Sequence, residues 1–140
     1  MKLSAAIVRQ SWKAVLPYRI EAAAFFYTRL FELDPSLRAM LKGDMAEHGR
    51  KWGAIIGIAV ANLERPIILL PTLYTVGAQQ EKNGVQDRHY DIVGIALLET
   101  LQRALGEAFT PEVKAAWVDA YREIINVMKT AAADFSTLAA

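Results

Sequence analysis

Apolar side chains recur at three- and four-residue spacing along almost the whole chain, and no stretch shows the strict alternation of a half-buried strand. That period belongs to an α-helix with one buried face, so the chain is constrained to an all-α architecture. Ala5, Ile7, Val8, Trp12 and Val15 predict a first amphipathic helix over 4–15, which Pro17 ends. A second helix is predicted from Tyr18 to Leu33, and Asp34-Pro35 then supplies a cap and a first-position proline for a short third one, Pro35 to Met40. Lys42-Gly43-Asp44 reads as a turn, with Asp44 capping a helix from about Met45 to Asn62. Within it Gly49, Gly53, Gly57 and Ala61 fall in one row. Each glycine costs a helix about 1 kcal/mol relative to alanine. A closely packed backbone should offset that cost, and Ala22-Ala23-Ala24 on the second helix is the expected neighbour.

Farther on, Pro66 and Pro71 predict a break, followed by a short helix over 72–82 and a turn at Asn83-Gly84. Asp87 is expected to cap a long helix, Arg88 to Leu105, whose buried face carries Ile92, Val93, Leu97, Leu98, Leu101 and Leu105. Gly106 suits the left-handed position after its end. Thr110-Pro111-Glu112 opens a last helix, expected to run to about Ala133 with Val113, Trp117, Tyr121, Ile124, Ile125 and Met128 inward, and residues 134–140 are expected to be a frayed tail. Seven or eight helices of such unequal length do not describe a four-helix bundle.

Composition narrows the class. With 140 residues, 54% of them hydrophobic, the chain suffices for one packed domain over 1–140 and is too short for two. The net charge of +1, from 16 basic and 15 acidic side chains without a run of like sign, gives nucleic acid or an acidic membrane no electrostatic footprint. The absence of cysteine removes disulfides, thiolate metal sites and cysteine nucleophiles. The N-terminal MKLSAAIVRQSWK lacks the apolar core of a signal peptide, and the longest apolar run, 53–61, is far below a membrane span. The expectation is a soluble, cytoplasmic protein.

Particular words in the sequence carry a family likeness. Ser11-Trp12, FFYTRLFELDPSLRAML at 25–41, GRKW at 49–52, LPTL at 70–73, HYDIVG at 89–94, LGEAFTPEV at 105–113 and AAWVDAY at 115–121 follow one another in order over roughly residues 4–130. In these the chain resembles the globins, specifically the bacterial single-domain type that includes flavohaemoglobin haem domains and neuroglobin-like haemoglobins. The resemblance implies the globin fold, seven to eight helices packed at about 50° around one apolar pocket. It also implies haem b, an iron ligand from the proximal side, and a diatomic gas on the distal side.

The likeness departs at the ligand. Counting back from Asn83-Gly84-Val85, the proximal position matches Gln80, whose neutral carboxamide is a poor donor to ferrous haem. The phenylalanine that stacks on the haem in the family corresponds to Leu41, and the small aliphatic residue beneath the gas to Trp52, whose indole is expected either to fill much of the haem volume or to swing outward. His48 matches the distal position and sits four residues before Trp52 on one helix face; it is either an iron ligand from that side or a polar remnant of a collapsed pocket. Tyr27 matches the distal tyrosine that hydrogen-bonds oxygen, or is a buried phenol in need of an acceptor such as His48. Lys51 can meet a haem propionate, Ile56 belongs with the pocket, and Tyr90 matches the proximal-side tyrosine of flavohaemoglobins. The carboxylate of their proximal network falls at about Ala132, so that network is absent.

His89 reads as a helix-start histidine beyond the proximal site, bonded locally, and two histidines without cysteine or a spaced carboxylate are a weak metal signal. Trp12 and Trp117 read as core. No phosphate loop or catalytic triad stands out, and nitric oxide dioxygenase activity would require haem and an external reductase, so an enzyme is not expected. Three functions remain in view. The first is a globin that has lost ordinary haem chemistry and binds or senses a small apolar ligand. The second is a haem protein ligated through His48 that handles oxygen or nitric oxide, and the third, least supported, is the dioxygenase.

Overall fold

The computed structural model describes residues 2–41, 43–82 and 84–139, with the side chains of 2, 3, 66, 76, 80, 81, 131, 132 and 134–139 outside the description. Among the described residues every regular element is helical: α1 (Lys2–Val15), α2 (Arg19–Leu33), α3 (Ser36–Met40), α4 (Met45–Ala61), α5 (Pro66–Lys82), α6 (Asp87–Leu105) and α7 (Pro111–Ala139), with 3₁₀ turns at Leu16–Tyr18 and Gly106–Ala108. The all-α expectation holds. No described helix is long and apolar enough to cross a membrane.

Two apolar clusters hold the helices together. The larger joins α1, α2, α4, α6 and α7 through Val8, Trp12, Phe26, Trp52, Leu101 and Trp117, and the smaller joins α5 to α7 through Leu69, Leu73, Ile125 and Met128. Trp12 and Trp117 are core, as expected, with 4% exposure each. The Trp117 indole donates to the Ser11 hydroxyl at 2.8 Å, and that hydroxyl in turn donates back into its own helix at the Ile7 carbonyl. Ser11 thus satisfies a buried N–H that would otherwise be costly.

Caps follow the sequence in part. Asp44 accepts from the Ala46 amide at 3.0 Å and Thr110 from the Val113 amide at 3.2 Å, as expected. The start of α6 corrects the reading: its cap is Gln86, in a reciprocal box with His89, and Asp87 is the first helical residue. The predicted break between Pro66 and Pro71 is also absent, since α5 runs through Pro71. Pro66 is the first residue of α5, and Pro71 deprives only the Ile67 carbonyl of a donor, at a residue whose side chain is 90% exposed. At the other end α7 continues to Ala139, past the expected stop near Ala133. The segment from Thr130 to Asp134 carries no proline or glycine to stop it.

The glycine row of α4 answers its expectation at one position. A Cβ on Gly49 would meet that of Ala23 at 3.4 Å, the close α2–α4 approach predicted, whereas Gly53 has nothing within 4 Å and Gly57 faces the Trp12 indole at 3.8 Å. The tightest crossing lies elsewhere. A Cβ on Gly77 of α5 would stand 2.4 Å from the Met128 carbonyl oxygen of α7, so α5 and α7 touch backbone to backbone.

Candidate functional site

Between α4 on one side and α5, α6 and α7 on the other lies an apolar cavity of about 460 Å³. It touches both clusters and is within the ordinary range of ligand pockets, about 300–1,000 Å³. Of the residues singled out in the sequence, the cavity gathers Tyr27, Leu41, His48, Lys51, Trp52, Ile56 and Tyr90. Gln80 lies on α5, with its side chain outside the described residues.

Trp52 settles one alternative and corrects another. Its ring is 6% exposed, so it does not swing outward. Nor does it close the pocket. The indole packs edge-on to Trp12 with centroids 5.7 Å apart and tilted against Phe26 at 5.5 Å, which commits its bulk to the core and leaves its flank as cavity wall. A cavity therefore remains beside the indole, and both Trp52 and His48 line it.

On the same helix His48 is half-buried and lines the cavity, its ring 6.3 Å from that of Tyr27. The Tyr27 hydroxyl donates to the His48 backbone carbonyl at 3.2 Å, so the acceptor is the main chain of the expected residue and not its ring. Burial pushes the Tyr27 phenol up to about 12. In this state its proton ties α2 to α4. Lys51 stands at the rim, exposed and paired with Glu47 at 3.5 Å, where it can reach an anionic group at the mouth. Ile55 and Ile58 complete that rim, about half exposed although they line the cavity.

Across the cavity Tyr90 is 4% exposed. Its backbone carbonyl accepts the Tyr121 hydroxyl at 2.6 Å, and burial raises that phenol strongly, with Asp91 and Tyr90 adding to the effect. Gly94 makes the approach possible, because a Cβ there would stand 2.8 Å from the Tyr121 ring. Tyr121, Val85 and Thr72 line the cavity without having been singled out for it; the signal for Tyr121 was its place on the inner face of α7, and Val85 and Thr72 gave none.

His89 is bonded locally, as expected: its Nδ1 accepts the Gln86 amide at 2.8 Å. An amide can only donate, so Nδ1 holds a lone pair and the neutral ring carries its proton on Nε2. Nε2 is buried without a hydrogen-bond partner and lies 3.8 Å from Asp34 Oδ2. An iron ligand needs the opposite arrangement, a free lone pair on the nitrogen facing the metal. In the arrangement formed with Gln86, neither His89 nitrogen offers a free lone pair to a metal. No group of three His, Cys, Asp or Glu suited to a metal ion occurs among the described residues.

Haem can be tested against this lining. The lining is apolar, as a macrocycle requires, with Lys51 at the rim within reach of a carboxylate. Two imidazoles line the cavity among the described residues, His48 on α4 and His89 on α6, and the His89 Nδ1 accepts the Gln86 amide.

Comparison with known proteins agrees with this architecture. The chain is 29% identical over 136 residues to neuroglobin of Danio rerio, covering 87% of this chain and 86% of the relative. It is 28% identical over 136 residues to neuroglobin of Dissostichus mawsoni, with the same shares. It is 29% identical over 139 residues to the anaerobic nitrite reductase HBII of Casuarina glauca, covering 89% and 87%. The Globin family profile matches residues 24–128, from within α2 into α7. The chain belongs to the globin family.

Proposed function

We propose that this globin is a binding or sensing module whose pocket takes a haem-sized apolar molecule without the proximal iron bond of its family, and that it does not act as an ordinary oxygen carrier. The observation that carries this reading is the open cavity beside Trp52, set against a carboxamide at the position matched to the proximal ligand. An unfilled apolar pocket of this size is the default location for a ligand. Haem held without a strong axial donor would be bound weakly, through wall contacts from Leu41, Ile56 and Tyr90 and a rim charge from Lys51.

A second reading is haem ligated through His48, and one observation favours it: His48 lines the cavity, whereas the His89 lone pair is occupied by the Gln86 amide. Bound in this way, haem would supply an iron able to take a diatomic gas. The activity named for the Casuarina relative belongs to this second reading and requires an electron donor besides.

Hemin titration of the purified protein separates the two. Under the first reading the spectrum keeps the broad band of loosely held hemin; a sharp Soret band saturating at one equivalent, and lost in His48→Ala, selects the second. Gln80→His is expected to turn weak binding into a sharp band, because the cavity is already open. If that variant stays folded and still gives none, the pocket does not admit haem and the open-pocket reading fails.

A further inference from the structure

We propose that His89 is a positioning residue for the pocket, an uncharged clasp whose protonation uncaps α6 and loosens the cavity wall formed by Val85, His89 and Tyr90. This rests on the reading of the cavity as a ligand pocket. The clasp has three parts. The Gln86 backbone carbonyl accepts the His89 amide at 2.9 Å while His89 Nδ1 accepts the Gln86 amide at 2.8 Å, a reciprocal pairing of the capping-box kind. Glu or Gln is the usual third-position acceptor of such a box, and neither changes the sense of the bond near neutral pH. A histidine does.

Protonation at Nδ1 would place an N–H against the Gln86 N–H, two donors face to face, so the bond cannot survive it. The opposite nitrogen is prepared for the change. Nε2 is buried and unpartnered, 3.8 Å from Asp34 Oδ2, and a charged ring released from its cap can turn to meet that carboxylate. Asp34 is already organised: the Ser36 hydroxyl and amide, then Arg88, hold its carboxyl below the usual range, so it stays ionised while His89 titrates.

The charged groups bearing on the ring are Asp34, at the corner between α2 and α3, and Arg88 on α6 itself; from α4, α5 and α7 no charged group bears on it among the described residues. Burial, then Arg88, lower the His89 value below that of an ordinary histidine, and Asp34 opposes them. The sign follows. A folded-state value below the unfolded one gives stability that is present above the ordinary histidine value, about 6.5, and is lost as pH falls below it. Because Val85, His89 and Tyr90 all line the cavity, that loss is felt at the site.

The test uses the full chain with 8-anilinonaphthalene-1-sulfonate as the probe of the cavity, between pH 7.5 and pH 5, and nuclear magnetic resonance of the His89 ring and the Gln86 amide without probe. In the wild type, probe affinity should fall about fivefold on acidification, the size expected for loss of one helix cap. The Gln86 amide should lose its protection from exchange at the midpoint of the His89 titration. His89→Gln retains the acceptor without titrating, so its probe affinity should stay flat across the same range. An equal fall in His89→Gln, or a Gln86 amide protected through the whole His89 titration, overturns the clasp. Should the probe not bind at pH 7.5, the ligand-pocket reading fails separately, and the resonance measurement alone decides the clasp.

Discussion

The two walls of the pocket are built by opposite rules. On the α4 wall the glycines make only ordinary contacts: Gly49 would meet the Ala23 Cβ at 3.4 Å, Gly57 the Trp12 ring at 3.8 Å, and Gly53 nothing within 4 Å. On the opposite wall single glycines are forced by what they touch, Gly77 by the Met128 backbone and Gly94 by the Tyr121 ring. On each wall a tyrosine hydroxyl is bonded to a helix carbonyl, Tyr27 to His48 at 3.2 Å and Tyr121 to Tyr90 at 2.6 Å. The α4 wall is thus seated by side chains, with Trp52 against Trp12 and Phe26, and the wall made by α5, α6 and α7 is pinned by backbone as well. A pocket with one side held by side chains and the other also by backbone can admit a ligand by moving the first.

The largest effect should come from the tight crossing. In Gly77→Ala the new methyl meets a main-chain oxygen at 2.4 Å, and no side chain can turn away to relieve it. Overpacking costs about 1–3 kcal/mol, and a backbone-on-backbone clash belongs at the upper end, so urea unfolding should show a loss of about 3 kcal/mol. A loss below about 1 kcal/mol would mean that α5 and α7 slide freely and that this wall is not pinned.

Next in size is the difference between the two hydroxyls. Tyr121→Phe removes a short bond in a strongly buried setting and should cost about 1.5 kcal/mol in chemical denaturation, near the top of the range for one hydrogen bond. If Tyr121→Phe proves as mild as a change at Tyr27, the two walls do not differ as their hydrogen bonds suggest.

Gly53→Ala should act in the other direction. With nothing near the new methyl and helical backbone on both sides, the substitution gains helix propensity, about 1 kcal/mol, and should raise the unfolding midpoint. A drop in that midpoint would reveal a close neighbour at Gly53 and undo the contrast with Gly77.

The sequence made the α4 wall legible and the opposite one nearly invisible. The glycine row, His48 and Trp52 were found because helical spacing puts them on one face, and the match of Ala23 to Gly49 follows from small residues facing each other. Periodicity says which face is inward but not what that face meets. The indole of Trp52 was therefore expected to occupy the cavity or leave it, whereas Trp12 and Phe26 offered it a third place in the core. Gly77 looks like an ordinary helical glycine until α7 is laid across it. Pro71 suggested a break because propensity weighs it alone, yet Pro66 had already begun α5 and the missing hydrogen bond falls in its early turns. At Gln80 the reading rests on counting from Asn83-Gly84, while at His89 it is the bond to Gln86 that decides the tautomer.

The smallest effect is the most specific, because it isolates one proton on the α4 wall. Burial raises the Tyr27 phenol to about 12, against an unfolded value near 10. A value raised on folding stabilises the native state fully below the unfolded value and loses that contribution as pH rises through the folded one, so the window runs from about 10 to about 12. At pH 7 Tyr27→Phe should cost less than about 1 kcal/mol, since its bond to the His48 carbonyl is longer than the one made by Tyr121 and its ring remains in place. Between pH 10 and pH 11.5 the wild type should lose stability faster than Tyr27→Phe, and the two curves should converge. That convergence would mark Tyr27 as the proton holding α4 to α2. Parallel curves would show that its phenol titrates as an exposed one, with α4 already free to move at neutral pH.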